Sequence, residues 1–243
     1  MLYTENFRIR WHDTDANREV RPTEILAYMQ ESANHQFAYH AQSLDDLRDS
    51  AGVGFILSRI AIDFLSPLHA YEDVEVRTAT CEGHGFCFPR RFEICREGEV
   101  VARAMSQWGM VRVADRTLLR VADAPLAFGD EPAIETQMPL RFRAPRELVF
   151  EQVGQRRITY SDLDYNMHMN NTKYPDMVCD FLPDAHALQL TGMSISYLRE
   201  AAFGAVLQVE RATDGEGTWY FRALCDGVLC MEAMLRAKVR QAT

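Results

Sequence analysis

The chain has no long apolar run, no cysteine spacing of the metal or redox kind and no excess of basic charge. Each lack closes off a class of protein. Purely apolar stretches such as Phe55 to Leu57 fall far short of the roughly 18 residues that cross a bilayer. The start, MLYTENFRIRWHDTD, contains no signal-like segment, so a cytoplasmic protein is expected. The six cysteines (Cys81, Cys87, Cys95, Cys179, Cys225 and Cys230) form no C-x-x-C and match no zinc framework, and are expected to be reduced, several of them buried. There is no G-x-G-x-x-G, no P-loop and no G-x-S-x-G, so no organic cofactor is implied. His35 and His40 stand H-x4-H apart on a helical stretch but lack the third ligand that zinc requires. With 26 basic against 35 acidic residues the net charge is −9, which excludes a general nucleic-acid binder. Glycine (13) and proline (9) are too few for a low-complexity chain, whereas 47% hydrophobic and 25% charged residues over 243 positions suit one large folded domain or two smaller ones.

What is present is a diverged repeat. WHDTDANREVRPT (Trp11 to Thr23) aligns with YSDLDYNMHMNNT (Tyr160 to Thr172), placing Asp13 on Asp162, Asp15 on Asp164 and Asn17 on Asn166. Later, FEICREGEVVARAMSQW (Phe92 to Trp108) aligns with FRALCDGVLCMEAMLRA (Phe221 to Ala237) in the same order. Each half reads as a short strand, a polar Asp/Asn-rich loop, an amphipathic helix and a run of β-rich segments. The helices are predicted from about Thr23 to Tyr39 and from about Asn171 to Leu182, with Pro175 near the first turn of the second. Arg96-Glu97-Gly98-Glu99 and Cys225-Asp226-Gly227-Val228 read as hairpin turns at equivalent places. Short turns join antiparallel strands, so the expected unit is an α+β one: a helix and an antiparallel meander, used twice. The Pro-rich acidic stretch from Ala122 to Pro145 reads as a linker. The expected units are therefore 1–121 and 146–243, joined by 122–145.

The second half carries candidate chemistry that the first lacks. Asp164, Asn166 and His168 alternate, so in an extended segment a carboxylate, an amide and an imidazole share one side. Tyr165, Met167 and Met169 would then form an apolar side. The segment precedes a helix start, whose free N–H groups suit an oxyanion. Asp162 and Asn170 alone read as caps. In the first half Glu19 stands where His168 does, which points to a single site in the second half.

These residues resemble the acyl-acyl carrier protein thioesterase family. Asp162 to Tyr174 (DLDYNMHMNNTKY) is similar to that family's active-site block, Phe55 to Arg59 to its W-V-L-S-R strand, and Arg103 to Trp108 with Asp115 to Leu118 to its R-A-T-S-x-W and T-R-R-L region. The resemblance runs from about Phe7 to Val239. It implies a tandem of two hotdog units, each a helix wrapped by an antiparallel sheet, with the first unit shaping the acyl pocket and the second holding the chemistry. Asp164, Asn166 and His168 are the catalytic residues it implies, and Ser194 to Ala201 resembles the block that carries a functional Glu, here Glu200. Ala201 stands at the plant-type Cys position, so a Cys nucleophile there is excluded. With Leu65 set on Leu198, Pro67 occupies the first unit's Glu position. The implied activity is hydrolysis of fatty acyl-acyl carrier protein to free acid and thiol, without a cofactor. An acyl-CoA thioesterase, a hotdog dehydratase and a non-catalytic acyl-carrier binding protein are the alternatives. Whether Glu200 or Asp164 activates water stays open, as does a homodimer. The acidic carrier would dock on a local basic patch, with Arg141, Arg143, Arg146, Arg156 and Arg157 or Arg112, Arg116 and Arg120 as the candidates.

Overall fold

The structure is a computed structural model that describes residues 2–39, 43–126, 129 and 131–240. His40 lies outside the described residues, and so do positions 127, 128 and 130 of the expected linker.

Two elements open the first half, strand β1 (Tyr3–Arg8) and helix α1 (Pro22–Tyr39). Proline is the first residue of α1, where its missing N–H leaves no helical bond unmade. Ile25, Leu26, Met29 and Ala33 form the buried stripe of that helix, at the spacing of one helical face. A second helix, α2 (Leu44–Ala51), was not anticipated, although its signals are local. Ser43 and Asp46 form a capping box, and Gly52 closes the end with a left-handed φ of 65°. Strands β2 (Val53–Phe64), β3 (Asp73–Thr80), β4 (Phe88–Arg96), β5 (Glu99–Arg112) and the short β6 (Leu118–Leu119) follow.

The second half repeats the order with β7 (Glu151–Arg157), α3 (Lys173–Asp180), β8 (Leu188–Tyr197), β9 (Val206–Thr213), β10 (Thr218–Cys225) and β11 (Val228–Val239). Both expected hairpin turns occur. Glu97 and Gly98 have φ of 53° and 86°, Asp226 and Gly227 of 50° and 76°, and two successive positive values are what a tight hairpin demands.

The strands form one antiparallel sheet in the order β1-β3-β4-β5-β2-β8-β11-β10-β9-β7, with β6 on β5. The second five mirror the first five. Between them β2 and β8 pair from Arg59–Ser196 to Asp63–Gly192, so Ala61 faces Ser194. Those two are equivalent positions when Leu65 is set on Leu198, and a local two-fold passes between them. That alignment is written in the hydrogen bonds: Leu65 and Ser66 N–H both donate to the Val101 carbonyl, as Leu198 and Arg199 do to Cys230.

The main core runs through both halves. Phe92 and Phe221, equivalent residues of β4 and β10, are both buried, each contributing about 1.5–3 kcal/mol of apolar burial. A smaller core under α2 contains Leu47, Val53, Phe88 and Met110. The irregular segment between the halves straps the outer face of the sheet. Met138 packs there with Ala61, Tyr220 and Met234, and the buried Asp63 carboxylate holds the Gln137 and Met138 N–H groups, both at 2.8 Å. Gly192 lies under the strap: a Cβ there would sit 2.3 Å from Met138 Cγ. No helix among the described residues is long and apolar enough to cross a membrane.

Candidate functional site

The loop before α3 is a tight turn and not an extended segment, which corrects the expectation of strict alternation. Asp164 Oδ1 accepts the N–H groups of Asn166 (2.9 Å) and His168 (3.3 Å), and Asp164 N–H donates to the His168 carbonyl. Met167 completes the turn at φ 65°. Side chains alternate between two sides only along extended backbone; here Tyr165 and Met167 are exposed, and Met169 alone of the three is buried. The first half builds the same turn. Asp15 Oδ1 accepts from Asn17 (2.8 Å) and Glu19 (3.1 Å), and Arg18 has φ 63°. The shared Asp therefore holds loop shape in both halves.

What differs is what the turn presents. His168 pairs with Ala202 in an isolated antiparallel bridge, which brings its ring alongside Glu200, just beyond β8. His168 Nε2 lies 3.5 Å from Glu200 Oε2. In the first half the matching bridge joins Glu19 to His69, and the residues at the His and Glu positions are Glu19 and Pro67. Arg240 holds Glu19, with Nη2 2.8 Å from Oε2. A cleft of about 850 Å³ lies beside this first loop, lined by Asp15, Glu19, Lys173 and Arg240 among others. The imidazole–carboxylate pair is not part of its lining.

Two arginines of the first half reach the second-half loop. Arg48 of α2 donates from Nη1 to Asn166 Oδ1 (2.9 Å) and lies 5.0 Å over the Tyr165 ring. With Oδ1 so engaged, the Nδ2 donors of Asn166 are those left for a ligand. Arg116, in the turn after β5 at φ 59°, forms an ion pair with Glu200. Arg116 belongs to one of the expected docking clusters, whereas Arg48 is not among the expected site residues. The capping box of α2 was the signal for the latter. Arg156 of the other docking cluster is committed to Asp162 at 2.6 Å.

The start of α3 offers less than expected to an oxyanion. Asn170 Oδ1 accepts the Thr172 N–H (3.0 Å), the Asn170 carbonyl takes that of Lys173, and Thr23 Oγ1 of α1 takes that of Asp176 (3.1 Å). Asp162 takes part in a capping box, closing the turn at Thr159, whereas the cap expected at Asn170 is not found: Thr172 is the N-cap of α3, and Asn170 Oδ1 holds its N–H from two residues before. Behind the loop, Tyr174 and Tyr197 meet edge to face at 5.4 Å, and burial pushes both phenols up, so both stay neutral donors. His35 is engaged by Glu5 and Glu31. No group of three metal-binding side chains occurs among the described residues.

Two helix-and-sheet units sharing one sheet, with a His–Glu pair in one unit and a degenerate loop in the other, define a double hotdog protein with a single candidate site. Comparison with known proteins gives the family. The acyl-ACP thioesterase N-terminal domain matches residues 1–128 and the C-terminal domain matches residues 150–224. The chain belongs to the acyl-ACP thioesterase family, whose members are thioester hydrolases. It is 23% identical to a chloroplastic dodecanoyl-[acyl-carrier-protein] hydrolase of Cinnamomum camphora, over 98% of this chain and 67% of that one. It is 26% identical to a chloroplastic oleoyl-acyl carrier protein thioesterase 2 of Arabidopsis thaliana, over 82% and 59%. The chain thus spans about three fifths to two thirds of the length of these curated relatives. Among solved structures, an acyl-ACP thioesterase from Bacteroides thetaiotaomicron superposes with a TM-score of 0.87 at 18% identity, covering 98% of both chains. A 12:0-ACP thioesterase from Umbellularia californica gives 0.81 at 18% identity and the same coverage. At that identity the likeness establishes the fold.

Proposed function

We propose that this chain hydrolyses the thioester of fatty acyl-acyl carrier protein, releasing free fatty acid and carrier thiol, with His168, Glu200, Asn166 and Asp164 as its working residues. The observation that carries this reading is the 3.5 Å approach of His168 Nε2 to Glu200 Oε2 in one half only. Glu200 takes a proton from water as the water oxygen bonds to the carbonyl carbon. The C–S bond then breaks, and the sulfur receives a proton relayed through His168. The Nδ2 group of Asn166 orients the carbonyl oxygen. Asp164 holds the loop, because both its bonds through Oδ1 recur at Asp15, where the His and the Glu are absent. General-base catalysis of this kind contributes about 10²–10⁴-fold.

In this reading residues 1–121 shape the acyl pocket, 122–145 link, and 146–243 carry the chemistry, with Arg48 and Arg116 lent by the first unit. All six cysteines are free thiols, and a cytoplasmic location belongs to this reading. The test is a panel of acyl-carrier thioesters from short to long chains beside the matching coenzyme A esters, read for free acid and free thiol. Appearance of an enoyl thioester would mark a dehydratase instead. Binding of acyl carrier without turnover would mark a carrier-binding protein.

A further inference from the structure

Two cationic or polar neighbours compete for one oxygen of Glu200. Arg116 Nη1 pairs with Glu200 Oε2, and His168 Nε2 lies 3.5 Å from the same atom. That gap is wider than the roughly 2.7–3.2 Å of a made N–H···O bond. With the arginine on Oε2, the imidazole stops short of it. Arg116 stands on a braced turn. Its N–H donates to the Arg112 carbonyl, and the Asp115 carboxylate accepts the Thr117 N–H at 3.0 Å. The side chain itself is held by Glu200 alone among the described residues.

The local two-fold supplies a comparison. Arg240, just past β11, crosses from the second unit to Glu19 in the first-unit loop, as Arg116, past the equivalent β5, crosses from the first unit to Glu200. The two pairs differ in access. Arg240 and Glu19 are 24% and 18% exposed, and both Nη atoms bind the carboxylate. Arg116 and Glu200 are 63% and 41% exposed. The pair at the degenerate loop is shut, and the pair at the working loop is open to a partner. The surface around it suits one. Tyr165, Met167 and Phe203 are 69%, 55% and 58% exposed, the first two in the His168 loop and the third next to Ala202, which bridges His168. Exposed apolar side chains gathered in one place mark a contact face. Arg48 and Arg116 add positive charge to the same face, which complements an acidic protein surface.

We propose that Arg116 is a gate on the catalytic base: it holds Glu200 off His168 until the acidic surface of the docked carrier takes its guanidinium and frees Oε2 to close on the imidazole. This rests on the thioesterase reading above. The exchange is easy, because an ion pair this exposed is worth about fivefold at most in an equilibrium. Arg116 is thus a positioning residue that acts through Glu200, and it ties turnover to the carrier.

The experiment compares the wild type, Arg116→Gln and Arg116→Lys on one acyl chain borne either by the carrier protein or by N-acetylcysteamine, an uncharged thiol with no docking surface. Arg116→Gln is expected to raise kcat on the small thioester by about two- to fivefold. For the carrier thioester it is expected to raise KM by a similar factor and to keep kcat, since the docked carrier has already drawn the arginine off. Arg116→Lys is expected to fall between the two. A small-thioester kcat that falls or stays unchanged in folded Arg116→Gln overturns the gate, and an unchanged carrier KM overturns the carrier as its opener. A second measurement needs no turnover. Labelled carrier without an acyl chain is titrated by fluorescence anisotropy against the wild type, Glu200→Gln, Arg116→Gln and the double variant. Glu200→Gln releases the arginine, so the carrier Kd is expected to tighten by about two- to fivefold, and that gain is expected to vanish in the Arg116→Gln background. A gain that survives there comes from loss of a negative charge alone and overturns the competition, as does a carrier that does not bind. If no thioester is cleaved while the cycle shows the coupling, the hydrolase reading fails and the competition of Glu200 and carrier for Arg116 stands.

Discussion

The two carboxylates of the site separate under parallel amide substitutions, Glu200→Gln and Asp164→Asn. Glu200 is 41% exposed on its side chain, and its partners are Arg116, 63% exposed, and His168. Ion pairs of that exposure contribute at most about 1 kcal/mol to folding, so Glu200→Gln should lower Tm by no more than about 2–4 °C in a chain of this length. Its effect on turnover should be far larger. Loss of a general base costs about 10²–10⁴-fold, which is about 2.7–5.4 kcal/mol of barrier at about 1.36 kcal/mol per tenfold. Asp164→Asn keeps an Oδ1 acceptor for the Asn166 and His168 N–H groups. It loses only charge assistance, roughly half the strength of those bonds. Turnover should therefore fall by about tenfold or less, the equivalent of about 1.4 kcal/mol. Thiol release from an acyl-carrier thioester, followed with a thiol reagent beside a melting curve, measures both quantities. If Asp164→Asn is as inactive as Glu200→Gln, Asp164 is more than a loop holder. If Glu200→Gln turns over normally, the base is misassigned.

Glu19→Ala removes the partner of Arg240 at the degenerate loop, and should leave kcat within a few-fold while costing about 1–3 kcal/mol of stability, since a partly buried guanidinium loses its anion; loss of turnover comparable to His168→Ala would contradict the single-site reading. Gly192→Ala forces a Cβ to within 2.3 Å of Met138 Cγ and 3.2 Å of the Ile62 carbonyl oxygen, so the strap must shift, with a destabilisation of about 1–3 kcal/mol, and Met138→Ala in the same chain should relieve the clash. Stability should also fall in acid. Burial pushes Asp13 and Asp162 up, but hydrogen bonds from Arg10 and Tyr28 to the first, and from Thr159 and Arg156 to the second, more than offset it and hold both below the usual aspartate value. A depressed folded pKa contributes stability that is present above the unfolded value, near 3.9, and is lost as pH falls through the folded one. Denaturant midpoints should drop below about pH 4, with a shallower drop in Asp162→Asn; an unchanged slope in that variant would remove Asp162 as a source.

The sequence carried the repeat because each half must build the same local turn. Asp at 15 and 164, Asn at 17 and 166, and the Glu97-Gly98 and Asp226-Gly227 turns each satisfy backbone groups a few residues away, and such chemistry is visible in a short window. His168 and Glu200 were legible by resemblance to a family, and the asymmetry with Glu19 and Pro67 could be read by aligning the halves. Two local features were misread. Alternation of residue types predicts an extended loop at Asp164 and does not reveal that Asp164 folds the backbone back on itself. The helix α2 was overlooked although Ser43, Asp46 and Gly52 spell its ends.

Other features belong to the tertiary structure alone. The approach of His168 to Glu200 depends on the bridge to Ala202 and on where β8 ends. The reach of Arg48 and Arg116 across to the second unit depends on the β2–β8 seam that fuses two sheets into one. The burial of Arg90 among aromatic rings depends on how α1 lies over β4. A turn is decided by hydrogen bonds between near neighbours in the chain. A seam, or a side chain from one half set against the other, is decided by which arrangement of the whole sheet buries the most apolar surface, and no short window of sequence contains that sum.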